Sequence, residues 1–177
     1  MTANALLDPY GRLIEPATLK IERLLPGPIE RVWAYLTESD LRRQWLASGE
    51  MPLQDDAPFE LTWRNDELTD PPGRRPEGMG EEHSMQCRVI ECAPPRRLVF
   101  TFGETGRVAI ALEPQGSEVL LTLIHSRLHE RGALLSVGAG WHAHLDLLVA
   151  RMRDSEAEPH WDLWVRLRAE YDRRLPA

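Results

Sequence analysis

Disulfide bonds and membrane spans have little basis in this sequence. The 177 residues include only two cysteines, Cys87 and Cys92. Their odd separation along one predicted strand directs the side chains to opposite faces, so we expect free thiols, as in a reducing cytoplasm. No apolar run is long enough to cross a bilayer, and the first residues lack the basic and apolar regions of a signal peptide. The sequence therefore predicts a cytoplasmic protein without a membrane partner.

Several chemical motifs are also lacking. There is no glycine-rich phosphate loop, no serine on a nucleophile elbow and no paired-cysteine motif. The histidines are scattered, and His142 and His144 stand two positions apart on a predicted helix, where they point in nearly opposite directions and cannot share one metal ion. We therefore expect no metal and no other cofactor.

Positive charge is in deficit. The chain has 21 Lys and Arg residues against 28 Asp and Glu, a net charge of -7. Such a field repels nucleic acid and anionic membranes. The pairs Arg42-Arg43, Arg74-Arg75 and Arg96-Arg97 have no interleaved aromatic residues, so they predict solvated surface and not a phosphate track. Nucleic acid is not an expected partner.

The sequence does contain a regular succession of strand and helix patterns. Residues 1–17 resemble an irregular leader, and a single domain is predicted over residues 18–177. A strand from Thr18 is followed by two short helices, the first starting at Pro28 and the second ending at Gly49. Alternating apolar residues, separated by turns, then predict an antiparallel meander of strands at 59–64, 83–90, 98–102, 108–112 and 119–125. The segment 65–82 is rich in Pro, Gly and charge and predicts a mobile loop.

Two helices complete the pattern. Over residues 140–152, an apolar face recurs at helical spacing (Trp141, Leu145, Leu148, Met152), with His144 at its edge. This face needs a broad apolar partner, which the sheet supplies, and the space between is either packed core or a ligand pocket. A further helix at about 159–175 carries Trp161 and Trp164. These tryptophans would dock on the same domain or contact a protein partner or a second copy of the chain.

These segments resemble a known family. The similarity is carried by Pro28–Trp33 at the first helix, Leu41–Trp45 in the second, Leu121–Ser126 in the last strand, and Gly140-Trp141 with His144 to Leu148 in the long helix. The chain is similar to the homologues of heat-shock chaperone ATPase activators, in the START-like (SRPBCC) superfamily, over about residues 18–175. The resemblance implies an α+β helix-grip fold like that of the birch-pollen allergen, with about seven antiparallel strands curved around the long helix and a pocket between them. Its members include ligand carriers, cyclases and chaperone regulators, so the fold does not decide the function.

The predicted pocket residues are those that strand alternation and helical spacing direct toward this space. They are Trp63, His83, Met85, Cys87, Phe102, His125, Trp141, His144, Leu145 and Leu148. Ala109 and Ala111, two small residues on alternate positions, add a hint of space along one sheet face. For the histidines taken singly, we expect His83 and His125 to be buried and hydrogen-bonded, and His129 and His142 to be exposed.

Three functions are open from the sequence. The first is binding of a small apolar or aromatic molecule without catalysis. The second is a protein-interaction module, such as a chaperone ATPase regulator, with Trp161 and Trp164 on an exposed surface. The third is a cyclase- or hydrolase-type enzyme in which His83, His125 or His144 carries a proton. The pocket features are numerous and the catalytic groups are not paired, so the first is preferred.

Overall fold

The fold is an antiparallel sheet around a long helix, as a computed structural model shows for residues 7–177. The seven strands are β1 (Arg12–Glu15), β2 (Thr18–Pro26), β3 (Pro58–Trp63), β4 (His83–Ala93), β5 (Arg97–Phe102), β6 (Gly106–Gln115) and β7 (Glu118–Ser126). They lie in the order β1-β2-β7-β6-β5-β4-β3, with every neighbouring pair antiparallel. The four α-helices are α1 (Ile29–Thr37), α2 (Ser39–Arg42), α3 (Arg131–Arg153) and α4 (His160–Arg174). The predicted α+β helix-grip fold is confirmed.

Strand alternation sets the inner face of the sheet. In β6, Val108, Ile110 and Leu112 are buried, whereas Ala109 and Ala111 are partly exposed on the outer face. The suggestion that these alanines mark a pocket wall is therefore wrong, because their side chains face away from the helix. The inward positions of β3, which include Phe59, Leu61 and Trp63, do belong to the main core.

The N-terminal segment is not an irregular leader where the structure describes it. Residues 12–15 form β1, which pairs with β2, and the backbone N–H of Gly11 donates to the Tyr171 hydroxyl at 2.7 Å. Arg23 of β2 is buried, and its guanidinium donates to the carbonyl oxygen of Pro9 at 2.7 Å and to Asp146 of α3 at 3.0 Å. The domain thus begins before Thr18, while residues 1–6 of the predicted leader lie outside the described residues.

Arg42 corrects the prediction that the arginine pairs are solvated. It is buried at the end of α2, whereas its neighbour Arg43 is exposed. The Arg42 guanidinium donates to the carbonyl oxygens of Leu36, Thr37, Ala47 and Gly49. A chain that bends sharply leaves such carbonyl groups without helical or sheet partners, and a buried guanidinium supplies several donors at once.

Helix α3 begins nine residues before the predicted start at Gly140. Its apolar residues surround the whole helix because both sides are covered. Trp141, Leu145 and Leu148 belong to the core under the sheet, whereas Leu135 and Ala139 belong to a second core shared with α4. The helix is long and apolar enough to cross a membrane by length and composition, but 67% of its most apolar window is buried inside the domain. Its apolar character is accounted for by packing on two sides.

Helix α4 docks on α3 and on the segment predicted to be a mobile loop. The backbone N–H of His160 donates to Thr69 Oγ1 at 2.9 Å, and that of Trp161 donates to the Pro72 carbonyl oxygen at 3.0 Å. In the other direction, the backbone N–H of Arg74 donates to Asp162 Oδ1 at 3.0 Å. These bonds fasten part of the 65–82 segment to the start of α4. The mobility of this segment stays a prediction.

Candidate functional site

A cavity of about 440 Å³ lies at one end of the sheet, between β3–β5, the first half of α3 and the start of α4. The first turns of α3 supply Ser136, Val137 and Gly140 to its wall, and the segment 78–82 forms its rim. Because residues 78–82 are all exposed, the cavity opens to solvent along this segment. The site therefore has a deep wall made by the sheet and the helices, and a mouth made by a loop.

Six of the ten predicted pocket residues line this cavity. They are Trp63, His83, Met85, Phe102, Trp141 and His144. The other four do not belong to the lining. Leu145 and Leu148 are fully buried in the core under the sheet, so only Trp141 and His144 of the four predicted pocket residues on α3 line the cavity.

Cys87 lies one alternate position further along β4 than Met85, in the core. Its thiol makes a contact of 3.8 Å with the Met85 carbonyl oxygen. Burial raises the pKa of Cys87 to about 11, so the thiol stays protonated at neutral pH. A protonated thiol is a poor nucleophile and a poor metal ligand, which leaves Cys87 as a core residue.

His125 is placed behind the cavity wall as a support for Trp141. The Trp141 Nε1–H donates to His125 Nδ1 at 2.9 Å, so the proton of the neutral imidazole must be on Nε2. The rings of Phe102 and His125 also meet edge to face, with centroids 4.8 Å apart. Burial lowers the pKa of His125 to about 4. The prediction of a buried, hydrogen-bonded histidine at this position is confirmed, and its role here is to fix the Trp141 ring.

His83 and His142 differ from what the sequence suggests. His83 is exposed at the cavity mouth, beside the Trp63 ring, and is not buried. His142 is buried, not exposed, on the side of α3 that faces away from the cavity, and its Nδ1 lies 2.9 Å from the Tyr171 hydroxyl oxygen. The prediction missed the burial of His142 because it assigned α3 one apolar face, whereas α4 covers the other. His129 is exposed, as predicted.

Three of the four tryptophans that line the cavity direct their polar edges into the protein. Besides the Trp141 contact, Trp161 Nε1–H donates to Asp66 Oδ1 at 2.7 Å and Trp164 Nε1–H to the Ser136 carbonyl oxygen at 3.3 Å. With these donors engaged, the indole rings present apolar surface to the cavity. Trp161 is only 4% exposed and Trp164 is half-buried, so they do not form the exposed patch considered for a protein partner. They are docked on their own domain.

Two histidines meet at the α4 side of the cavity. His144 and His160 are both buried cavity residues, and their ring centroids lie 4.8 Å apart. His144 Nδ1 lies 2.8 Å from the Trp45 carbonyl oxygen. A carbonyl can only accept, so Nδ1 carries the proton and Nε2 has a free lone pair. Burial lowers the pKa of His144 to about 4 and that of His160 to about 2, so both rings are neutral near pH 7.

His160 was not among the predicted site residues. Nor were the other lining residues from the loop and α4, chiefly Asn65, Met79, Trp161 and Trp164. Trp161 and Trp164 stand out in the sequence, but no local pattern indicates that the start of α4 reaches the open end of the sheet. The only available signal was Pro159, which marks the first turn of a helix and thereby places His160 at its start.

A sheet wrapped around a long helix, with a cavity at the open end between them, defines a START-like helix-grip domain. The chain belongs to the family described as Activator of Hsp90 ATPase homolog 1-like protein, whose model matches residues 26–153. This match begins at the end of β2 and stops at the last residue of α3, so α4 lies outside it.

Solved structures agree with this assignment. A Bordetella parapertussis protein determined by solution NMR is 34% identical, with 100% of this chain and 97% of that chain covered and a TM-score of 0.78. Two further structures share the fold. A conserved protein of unknown function from Enterococcus faecalis is 20% identical, with 93% of this chain and 88% of that chain covered and a TM-score of 0.68. CalU16 from Micromonospora echinospora is 19% identical, with 93% of each chain covered and a TM-score of 0.64. A search of curated protein sequences gave no match.

Proposed function

We propose that this protein binds a small, largely apolar aromatic molecule in the cavity between the sheet, α3 and α4. The observation that carries the proposal is the wall of aromatic rings whose polar edges are turned away. Trp141, Trp161 and Trp164 all donate their indole N–H groups to protein acceptors, so the surface they offer is apolar. A planar aromatic ligand can stack on such faces or meet them edge-on.

The size of the cavity suits this class of ligand. Pockets for small molecules generally enclose roughly 300–1,000 Å³, and about 440 Å³ falls in that range. The rings also surround the space from both sides: Phe102 lies between Trp63 and Trp141, with centroid distances of 5.8 and 6.0 Å, and Trp161 and Trp164 face them from α4. A ligand of two fused rings would touch aromatic side chains on each side.

We prefer binding to catalysis because each histidine considered as a proton carrier is hydrogen-bonded to another group, exposed, or without an orienting carboxylate. His125 is occupied by Trp141, and His83 stands at the exposed mouth. His144 is oriented by a backbone carbonyl, and no carboxylate within residues 7–177 accepts a hydrogen bond from it. A general base gains strength from an orienting carboxylate, and a ring held neutral by burial is a weak proton carrier at pH 7.

Gly140 offers a direct test by filling the cavity. A Cβ atom at this helical position would find only Trp164 Nε1 nearby, at 3.9 Å, so a longer side chain can extend into the cavity without meeting backbone. We expect Gly140→Leu to fold, because leucine favours a helix over glycine by about 1 kcal/mol. The variant should lose binding of the neutral fluorescent probe N-phenyl-1-naphthylamine at least tenfold, measured by fluorescence titration.

Gly132→Leu is the matched control. Gly132 lies in the first turn of the same helix, where an added Cβ meets nothing within 4 Å, and it does not line the cavity. This variant should bind the probe as the parent does. Failure of the parent to bind the probe or any aromatic compound in a thermal-shift screen would remove the proposal, as would equal affinities of the parent and Gly140→Leu.

A further inference from the structure

The α4 side of the cavity contains buried polar atoms with no protein partner. His160 is 1% exposed, and neither of its ring nitrogens has a hydrogen bond to any of the residues that the structure describes. The Asn65 Oδ1 atom is in the same situation. Both residues belong to the cavity lining. An unpaired buried polar group destabilises a fold, so such groups are usually paired, and a cluster of them at a cavity points to a ligand that completes them.

The chemical demand of this cluster can be stated atom by atom. A neutral imidazole has one N–H donor and one acceptor nitrogen, so His160 offers one of each. His144, whose ring is tilted by 38° to that of His160, offers the acceptor Nε2, because its Nδ1–H donates to the Trp45 carbonyl oxygen. Asn65 adds an acceptor oxygen. A hydroxyl group can accept from the His160 N–H and donate to one of these three acceptors, so it pairs with both kinds of group in this cluster.

His160 lines the cavity, although both of its ring nitrogens are buried. The ring is held between the rings of His144 and Trp161, whose centroids are 4.8 and 5.3 Å away. The torsion between an imidazole and its Cβ atom has a broad energy minimum, so the ring orientation that presents a nitrogen to a ligand is one that binding would select. A polar group of the ligand could then form the hydrogen bond that this His160 nitrogen lacks in the protein alone.

The electrostatic character of the site excludes an anionic head group. No Lys or Arg among residues 7–177 lines the cavity, and the acidic residues at its mouth, Glu81 and Glu82, each lie within ion-pair distance of an arginine, Arg75 and Arg64. Burial, with a smaller contribution from His144, lowers the pKa of His160 and keeps its ring uncharged. A carboxylate or phosphate would lose its hydration and meet no opposite charge. The polar group of the ligand is therefore uncharged.

We infer that His160, together with His144 and Asn65, selects an uncharged aromatic ligand that carries a hydroxyl group. This inference rests on the proposed function and adds which aromatic molecules the site prefers. It also assigns a role to α4, which the family match at residues 26–153 does not include. The aromatic faces bind the ring system, and the polar cluster at the start of α4 binds the hydroxyl group.

Three ligands that share one ring system distinguish the contribution of the aromatic rings to affinity from that of the hydroxyl group and from the effect of a negative charge. We expect 2-naphthol to bind the full chain about tenfold more tightly than naphthalene, the effect of one hydrogen bond that relieves a buried unpaired group. The anion 2-naphthoate should bind more weakly than 2-naphthol. In His160→Phe, which keeps a ring of similar shape, naphthalene should bind as before and 2-naphthol should lose its advantage. His129→Phe, at an exposed position outside the cavity lining, is the control and should keep it.

A second measurement does not depend on any variant folding. In the ¹⁵N-labelled parent, the ring nitrogen shifts of His160 should change on addition of 2-naphthol toward values for a hydrogen-bonded neutral ring, and naphthalene should leave them nearly unchanged. Equal affinity of the parent for naphthalene and 2-naphthol would overturn this inference and leave the proposed function intact, and so would tightest binding of 2-naphthoate. If none of the three binds, the proposed function itself fails.

Discussion

One buried guanidinium stabilises the bend that brings α2 back to the sheet. Arg42 is 2% exposed, and in place of a carboxylate it has four backbone carbonyl oxygens as acceptors. Two of these, on Leu36 and Thr37, are at the end of α1, where helical carbonyls lack partners. Burial lowers the pKa of Arg42 to about 10, which still leaves it charged at neutral pH. Hydrogen bonds from a charged donor are stronger than neutral ones.

We expect Arg42→Met to lower the free energy of unfolding by about 2–4 kcal/mol, because it leaves buried carbonyl groups unpaired. Urea unfolding followed by circular dichroism measures the change. Arg43→Met is the matched control: the Arg43 side chain is 63% exposed and has only an ion pair of 3.5 Å with Asp40. Its loss should stay below about 0.5 kcal/mol. Similar losses in the two variants would contradict the role of Arg42.

At the scale of whole elements, α3 depends on a close approach at Gly138. A Cβ atom there would lie 3.6 Å from Leu19 Cδ2 and 3.7 Å from Tyr171 Cδ1, so the helix meets both β2 and α4 at this glycine. These are ordinary contact distances for a methyl group. A longer side chain would have to separate the elements.

The two substitutions at Gly138 should therefore differ in sign. Gly138→Ala is expected to be neutral or to raise the melting temperature by a few degrees, since alanine favours a helix by about 1 kcal/mol over glycine. Gly138→Leu should destabilise by about 1–3 kcal/mol through overpacking. Thermal unfolding of both variants gives the comparison. A stabilising Gly138→Leu would show that the contact between α3 and α4 is loose.

Local sequence patterns predict the orientation of the strands but not the start of α3 or the position of α4. The alternation in β3 and β4 predicted which side chains face inward, since a period of two leaves one choice of face once Phe59 and Leu61 are buried. The start of α3 was missed because residues 131–139 contain two glycines and have no side-chain cap that marks a helix start. His142 and His160 were beyond prediction because their burial depends on where α4 docks. The position of α4 is set by tertiary contacts, which the local spacing of apolar residues does not indicate.

At the scale of the whole molecule, the domain buries four neutral histidines. His125 and His144 support the cavity wall, and His160 lines the cavity at the start of α4. His142 lies on the opposite side of α3. Its Nε2 faces the Asp146 carboxylate, an acceptor, so the neutral ring carries its proton on Nε2 and Nδ1 accepts from the Tyr171 hydroxyl. Asp146, 3.5 Å from His142 Nε2, is held by Arg23, which balances its charge. Each ring is thus kept uncharged by its surroundings.

Acid should unfold this domain at a moderate pH. An unfolded histidine takes up a proton near pH 6.5, whereas burial lowers the pKa of His125 and His144 to about 4 and that of His142 to about 3 in the fold. Between these values the unfolded state binds more protons, so stability present above pH 6.5 is lost as the pH falls. Each histidine removes about 1.4 kcal/mol per pH unit in this window.

We expect the urea midpoint to be constant from pH 8 to 7 and to fall steeply below pH 6. His142→Gln, whose amide oxygen can still accept from Tyr171, should make the decline shallower by up to one proton, whereas His129→Gln, at an exposed position, should not. A midpoint that does not change down to pH 4.5 would mean that the buried histidines accept protons in the fold, and would contradict the neutral site.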